Sequence, residues 1–582
     1  MRQQPGLNID DRLRSVPGFS LFRRSSSVVA NPTTQGVSLR GLGSSGASRT
    51  LVLWDGIPLN DPFGGWVYWT RVGPEELDRV EIERGASTSI FGDRAMSGTI
   101  ALFSRPPERY RLTAAYEGGN HNTHSATAGF SQLWSKWAAS IESHAVTTDG
   151  YFIVPERIRG SIDRPANLRF AAGDVRLDYL GAADRFFLKF DALAEERANG
   201  TYLTNNSTSL GEISGQYSHQ WTNDILSIVG YQAREQFHSS FSAVTNNRNT
   251  ERLTFLQTVP SEAVGSAAFW RHSAGKWNLI GGADVERVEG TSTDHLLPSG
   301  LRVGGGSRLQ HGVFGQADFT VGLLRLFAGA RHQFTGTNDT FFSPNAGFVI
   351  GKGVVRARGS VYRAFRAPTL NELYREFRVG NTITQANAAL QSETVFGAEA
   401  GVDFIGETAR LSATVFRHSL ENVITNVTLS QVAGTITRQR RNAAAALSRG
   451  LDVDARKAFG NVRVELGYLF ADSRYSTGPR IAQVPKHQGT GQITYARGRT
   501  LMSAGVRSYG FQFEDDLNQF VLPGFATVQV AARQKLVGSL SAVVAVENAL
   551  DREYLVGFSP TPLIGSPRLW RVGLRWDGVL KR

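Results

Sequence analysis

From about residue 105 onward the chain repeats one pattern: short runs in which every second side chain is apolar, closed alternately by tight turns and by long polar tracts. Val462, Val464, Leu466, Tyr468 and Phe470 share one parity, while Arg463, Glu465 and Gly467 share the other. Trp570, Val572, Leu574 and Trp576 are opposed in the same way by Arg571 and Arg575. Over 187–195, Leu188, Phe190, Ala192 and Ala194 stand against Lys189, Asp191 and Glu195, with Leu193 as the exception. A period of two assigns these residues to the two faces of extended strands. No window approaches the ~18 unbroken apolar residues that a membrane-spanning helix needs. A membrane β-barrel escapes that requirement, because its strands meet lipid only at every second position and water at the others.

The connections point the same way. Short turn signals occur at 181–185, 272–276, 351–353, 406–409, 459–461 and 497–499. Longer polar tracts lie between them, at 148–167, 199–211, 239–261, 290–308, 364–392, 421–443, 472–484 and 549–566. Tight connections at one end and long ones at the other are the asymmetry of outer-membrane barrels.

At 582 residues the chain exceeds one ordinary core, so several domains or one large closed sheet is expected. The 62 glycines, 20 prolines, 34 phenylalanines and mean hydropathy of −0.22 favour the sheet. Cysteine is absent, which excludes disulfides and thiolate metal sites. The net charge of +12 is spread over scattered arginines, with no basic tail and no compact nucleic-acid module, so nucleic acid is not expected as a partner. Charges at alternating strand positions would instead line a lumen and attract anionic solutes.

The segment 39–103 is organised differently. Leu39-Arg40-Gly41 is followed by LVLWDGIPLND from Leu51, LDRVEIERGAS from Leu77 and SIFGDRAMSGTIALFS from Ser89. Leu51, Val52 and Leu53 form an apolar run that ends in the turn Asp55-Gly56, and the run at 99–103 is closed by Arg105-Pro106-Pro107. In order and spacing these motifs resemble the plug domain of TonB-dependent outer-membrane receptors. The resemblance continues through Phe365-Arg366-Ala367-Pro368-Thr369-Leu370-Asn371-Glu372-Leu373-Tyr374, Ser448-Arg449-Gly450-Leu451-Asp452, Val546-Glu547-Asn548-Ala549-Leu550-Asp551 and Arg568-Leu569-Trp570. It implies a mainly β protein: an antiparallel transmembrane β-barrel of about 22 strands, residues 105–582, with a small N-terminal α/β plug, residues 1–104, in its lumen. Counting runs and turns along the chain agrees with that number to within about two. In such a family Met1 is expected to be an internal or trimmed start, because 7–22 already looks like plug and neither a signal peptide nor a TonB-contacting segment precedes it.

Candidate sites follow from residues and resemblance together. Asn60, Phe63, Trp66, Tyr68 and Trp69 crowd a Gly/Pro-rich stretch that the resemblance makes an apical plug loop, an aromatic platform for an amphipathic ligand. Arg23, Arg24 and Asn31 fall in the other apical loop, where guanidinium groups suit carboxylate or catecholate ligands. Arg40 and Arg84 stand where the family anchors its plug to barrel carboxylates, here Glu399 and Asp452. His121 with His124, and Glu514-Asp515-Asp516, could be read as metal sites, but the first spacing is not diagnostic and the second is ordinary for an acidic loop, so no metal and no cofactor is expected. No catalytic constellation is present, and Gly41 to Gly46 matches a dinucleotide fingerprint only as text, without its βαβ context. The expected function is TonB-dependent uptake of a ferric siderophore by a monomer in outer-membrane lipid, energised by TonB. Uptake of cobalamin or another bulky nutrient, and a surface receptor that does not transport, are the alternatives.

Overall fold

The computed structural model describes residues 4–43, 46–337, 339–442, 445–558 and 561–579; Ser44 and Ser45 of the glycine-rich fingerprint lie outside them. Twenty-two antiparallel strands close into one barrel. The first, Arg111–Gly119, and the last, Leu569–Val579, seal it, with Trp576 opposite Ala114 and Arg571 opposite Gly119. Closure leaves no unpaired edge in hydrocarbon, where each unsatisfied backbone group would cost several kcal/mol. No helix among the described residues is long and apolar enough to cross a membrane.

The alternation sorts as the sequence implies. Leu466 is 57% exposed and Tyr468 39%, while the neighbouring Leu469 is buried. Leu188, Phe190, Trp570, Val572 and Leu574 face outward, whereas Lys189, Asp191, Glu195, Arg571 and Arg575 are buried against the lumen contents. Half-exposed Trp134, Trp137, Trp221, Trp270 and Trp277 cluster beside the tight turns, an aromatic girdle at one membrane face. We expect Leu466→Arg to cost about 2–4 kcal/mol, as a charge near the midplane does. Glu465→Gln, on the luminal face, should cost much less. Equal loss of heat-modifiable barrel in the two variants would contradict the assigned faces.

The turns at 181–183, 275–276, 353–354, 406–408, 460–461 and 498–499 fall where the sequence signals stand. Two long tracts do not. Residues 239–261 and 290–308 were expected as loops, yet they are the upper ends of strands Asp224–Thr245, Thr250–Ala274, Trp277–Leu296 and Leu301–Val321, joined through 246–249 and 297–300. These strands have 20 or more residues each, against the ~10 that span a bilayer, so their ends rise beyond it, wet on the outer face while Phe241, Phe255, Gln257 and Asp294 are buried on the inner one.

Inside the barrel sits a four-stranded mixed sheet, in the order Ile57–Pro58, Thr50–Trp54, Gly98–Ser104, Leu77–Arg84, whose central pair is parallel. Short helices Ile9–Leu13 and Thr88–Phe91 accompany it. Ile9, Leu13, Phe19, Val37, Leu39, Val52, Trp54, Trp69, Ile100 and Leu102 form its own core.

Candidate functional site

The plug is tied to the barrel wall by ion pairs. Arg40 reaches Glu399 and, through Nε, Asp452 at 3.2 Å; Arg84 reaches Asp452 at 3.0 Å and also Asp454. The structure thus brings together all four residues singled out as an anchoring set, and the aspartate at 452 is long enough for the span. Tyr362 donates to Glu399 at 2.6 Å. Gly85 makes this approach possible: its φ is +93°, and a Cβ there would stand 2.5 Å from Glu399 Oε1.

Further ties were not singled out from the sequence. Arg49 Nε donates to Glu393 at 3.1 Å; Glu393 also pairs with Arg366 at 2.6 Å, and Arg366 with Glu372 at 2.8 Å. Arg71 meets Asp191 at 2.6 Å and Glu212 at 2.9 Å, Arg94 meets Glu286 at 2.7 Å, and Asp93 meets Arg308 at 3.3 Å. The luminal position of Asp191 was legible in the alternation; which plug arginine it meets was not.

Glu372 lies in the short helix Leu370–Tyr374 of the extracellular connection 367–392. Burial alone would raise its carboxyl, but the Arg366 guanidinium and the Thr369 N–H outweigh it and hold the group at about 2, below its ordinary 4.5. A depressed carboxyl contributes stability that is complete above its unfolded value and is lost as pH falls toward the folded one. We therefore expect the 367–392 connection to loosen between pH 4.5 and about 2, read as faster amide exchange, and expect Glu372→Gln to abolish that step. An unchanged acid profile in Glu372→Gln would contradict this.

The structure buries the aromatic platform expected from the sequence. Phe63, Trp66, Tyr68 and Trp69 are each 2% exposed or less. Trp69 lies edge-on to Phe19 at 6.0 Å in the plug core. Phe63, Trp66 and Tyr68 pack with Leu193, Leu210, Phe237 and Leu370 of barrel and loop, and the Asn371 N–H donates to Phe63 O at 2.9 Å. Asn60 spends its amide on Val52 N, Thr50 O and Gly65 O, pinning the loop to its own sheet. The 367–392 connection covers this loop, and these five residues are buried fastenings between plug, wall and connection.

The other apical loop faces open space. Arg23 and Asn31 border a cavity of about 590 Å³ together with Asn199, Arg248, Arg378 and Asn381, and no carboxylate lines it among the described residues. Asn31 Oδ1 caps the turn Pro32–Thr34 by accepting from Thr33 N at 3.1 Å. Arg378 donates to Gly380 O at 2.6 Å and to Asn381 Oδ1 at 3.3 Å, and pairs with no carboxylate among the described residues. Asn381 bridges to the wall, with Nδ2 donating to Val244 O at 3.0 Å. Arg24 departs from expectation: it is buried, donates to the carbonyls of Gly510 and Pro523, and stacks on Phe525 at 5.2 Å. Burial pushes its guanidinium down to about 10, and it is a strut.

Among the described residues neither metal reading gains a cluster. His124 bonds Tyr116 and Asn122, while Asp515 accepts from Gln519 and Phe520, Asp516 from Thr428, and Glu514 from Gln483.

The comparisons with known proteins agree with this architecture. The family model described as TonB dependent receptor-like, beta-barrel matches residues 159–549, and the TonB-dependent receptor plug domain matches residues 1–99. The vitamin B12 transporter BtuB of Vibrio vulnificus is 21% identical over 96% of this chain and 88% of its own length. The hemin receptor of Yersinia enterocolitica is 23% identical over 66% of this chain and 59% of its own. Among solved structures, the copper transporter OprC superposes with TM-score 0.82 at 15% identity, covering 99% of this chain and 98% of that one. The siderophore receptor PirA of Acinetobacter baumannii gives 0.78 at 15%, covering 99% and 97%. A plug closing a 22-stranded barrel, matched over most of its length, makes this chain a member of the TonB-dependent receptors, the plugged β-barrel transporters of Gram-negative outer membranes.

Proposed function

We propose that this receptor imports an anionic, oxygen-rich iron chelate of the ferric siderophore class, captured in the cavity above the Arg23 to Asn31 loop. The observation that carries this reading is the polar part of the lining: Arg23, Arg248 and Arg378 with asparagine, serine and threonine side chains, set among apolar Val29, Ile153, Phe241 and Val244, and no carboxylate among the described residues. Arg248 is balanced by Asp163 at 2.9 Å, and Arg23 lies 3.9 Å from Glu514. Arg378 is therefore the guanidinium whose charge is most available to a ligand oxygen, where charge-assisted bonds are about twice as strong as neutral ones. The cavity has the size of a small-molecule site. TonB, acting on the N-terminal end of the plug, opens the path below.

The test is ligand binding to purified receptor. Arg378→Ala should weaken an anionic ferric chelate at least about tenfold, or 1.4 kcal/mol, with folding intact. Cobalamin is the second reading, favoured by the relative that matches 96% of this chain. Tight cobalamin binding that Arg378→Ala leaves unchanged, with no binding of ferric chelates, would replace the first reading by the second.

A further inference from the structure

Two carboxyl groups meet at the seam between plug and barrel. Asp61 belongs to the covered apical loop of the plug and is 1% exposed; Glu235, on the luminal face of strand Asp224–Thr245, is 6% exposed. The two side chains are neighbours, each carboxyl lying in the other's field. On each residue one oxygen has a conventional donor: the Gly64 N–H for Asp61 Oδ1, and the Tyr68 hydroxyl, at 2.5 Å, for Glu235 Oε1. The second oxygen of each, Asp61 Oδ2 and Glu235 Oε2, is buried and has no hydrogen-bond partner among the described residues. Two carboxylates cannot hydrogen-bond one another, since an ionised carboxylate only accepts.

We infer that Asp61 and Glu235 form a proton-binding site, an acid–carboxylate pair that shares one proton across the seam and so fastens the apical plug loop to the wall. The surrounding charges favour it. Arg94 and Arg375 are the cations that face Asp61, and Arg375 also faces Glu235. Arg94 is engaged by Glu286 at 2.7 Å. Arg375 spends its hydrogen bonds on Gln257 at 2.7 Å and Asn371 at 3.3 Å, and Asp294 shares its field. Arg375, which makes no ion pair among the described residues, offsets one carboxylate, and the shared proton neutralises the other. Tyr68, facing both acids and Thr208, is held far above the usual phenol range by burial and by Glu235, so it stays a donor. Burial likewise raises the Asp61 carboxyl. A carboxyl that keeps its proton on folding binds more protons in the folded state than in the unfolded one, so the fastening is complete at low pH and weakens as pH rises through the folded value.

The experiment is infrared difference spectroscopy of the whole receptor in detergent, reading the C=O stretch of protonated carboxyl groups. Asp61→Asn and Glu235→Gln keep shape and can each donate to the remaining acid. A shared proton predicts that each single variant, and the double variant, lose the same one band, and that Tyr68→Phe shifts this band without removing it. Should an amide variant fail to insert, the wild-type band is titrated instead; it should bleach as one proton on raising pH, and the Tyr68→Phe shift should identify it. No band lost from either single variant, a double variant that loses twice as much as each single, or a wild-type band insensitive both to alkaline pH and to Tyr68→Phe, would overturn the inference.

Discussion

Glu393→Ala is expected to cost about 3–5 kcal/mol of folded stability, because it breaks a buried ion pair on one side only. Glu393 is fully buried and stands between a plug arginine, Arg49, and a barrel arginine, Arg366, while also accepting the Ile424 N–H at 2.6 Å. Arg366 would keep Glu372, but Arg49 would be left buried with only the carbonyls of Leu42 and Ile424. A charge so stranded has no cheap way out, so the plug should loosen. The exposed pair Arg79–Glu81, at 56% and 59% side-chain exposure, provides the comparison, and Glu81→Ala should cost 0–1 kcal/mol. Urea denaturation, with protease cleavage of the plug followed in parallel, measures both. Similar losses in the two variants would show that the seam is not held by its buried charges.

Trp69→Ala should cost about 3–5 kcal/mol, the range for removing a buried large aromatic. The side chain is 1% exposed and packs edge-on against Phe19. Trp66→Ala should behave similarly, opening a void between Tyr68, Phe237 and Leu370. Neither should change ligand affinity in the protein that remains folded, since the cavity above the Arg23 to Asn31 loop is lined by other residues. A Trp66→Ala variant of unchanged stability that loses ligand tenfold would restore the aromatic platform that the sequence suggested.

What could be read from the sequence depended on whether a residue's environment was local. Lys189, Asp191 and Glu195 declared the luminal face because strand alternation is a property of neighbours in the chain. Leu193 broke that alternation and looked like noise; it is luminal and apolar because it packs on Phe63, Trp66 and Tyr68 of the plug. The tracts 239–261 and 290–308 were misread for a physical reason. A strand that leaves the bilayer meets water on its outer face, and here its buried inner face mixes Phe241 and Phe255 with Gln257 and Asp294, so the apolar-out alternation that marks a spanning strand disappears although the hydrogen-bonded ladder continues. Arg40, Arg84, Glu399 and Asp452 were found through resemblance, whereas Arg49 with Glu393 and Arg71 with Asp191 were not, because nothing in the chain announces which charges the fold will bring together. The burial of the aromatic loop was equally illegible: its composition suits ligand contact, and its burial is imposed by Leu370 and Asn371 from a distant connection.

The central claim is that this plugged barrel captures an anionic iron chelate at its outer face and passes it inward only when TonB works on the plug. Uptake of radiolabelled iron from ferric siderophores, by cells in which this protein is the sole receptor, tests it most directly in paired strains with and without TonB. The account predicts binding in both strains, accumulation only in the strain with TonB, and loss of both in Arg378→Ala at subsaturating ligand. Binding with no accumulation in either strain would mark a surface receptor that does not transport, and accumulation independent of TonB would contradict the account outright.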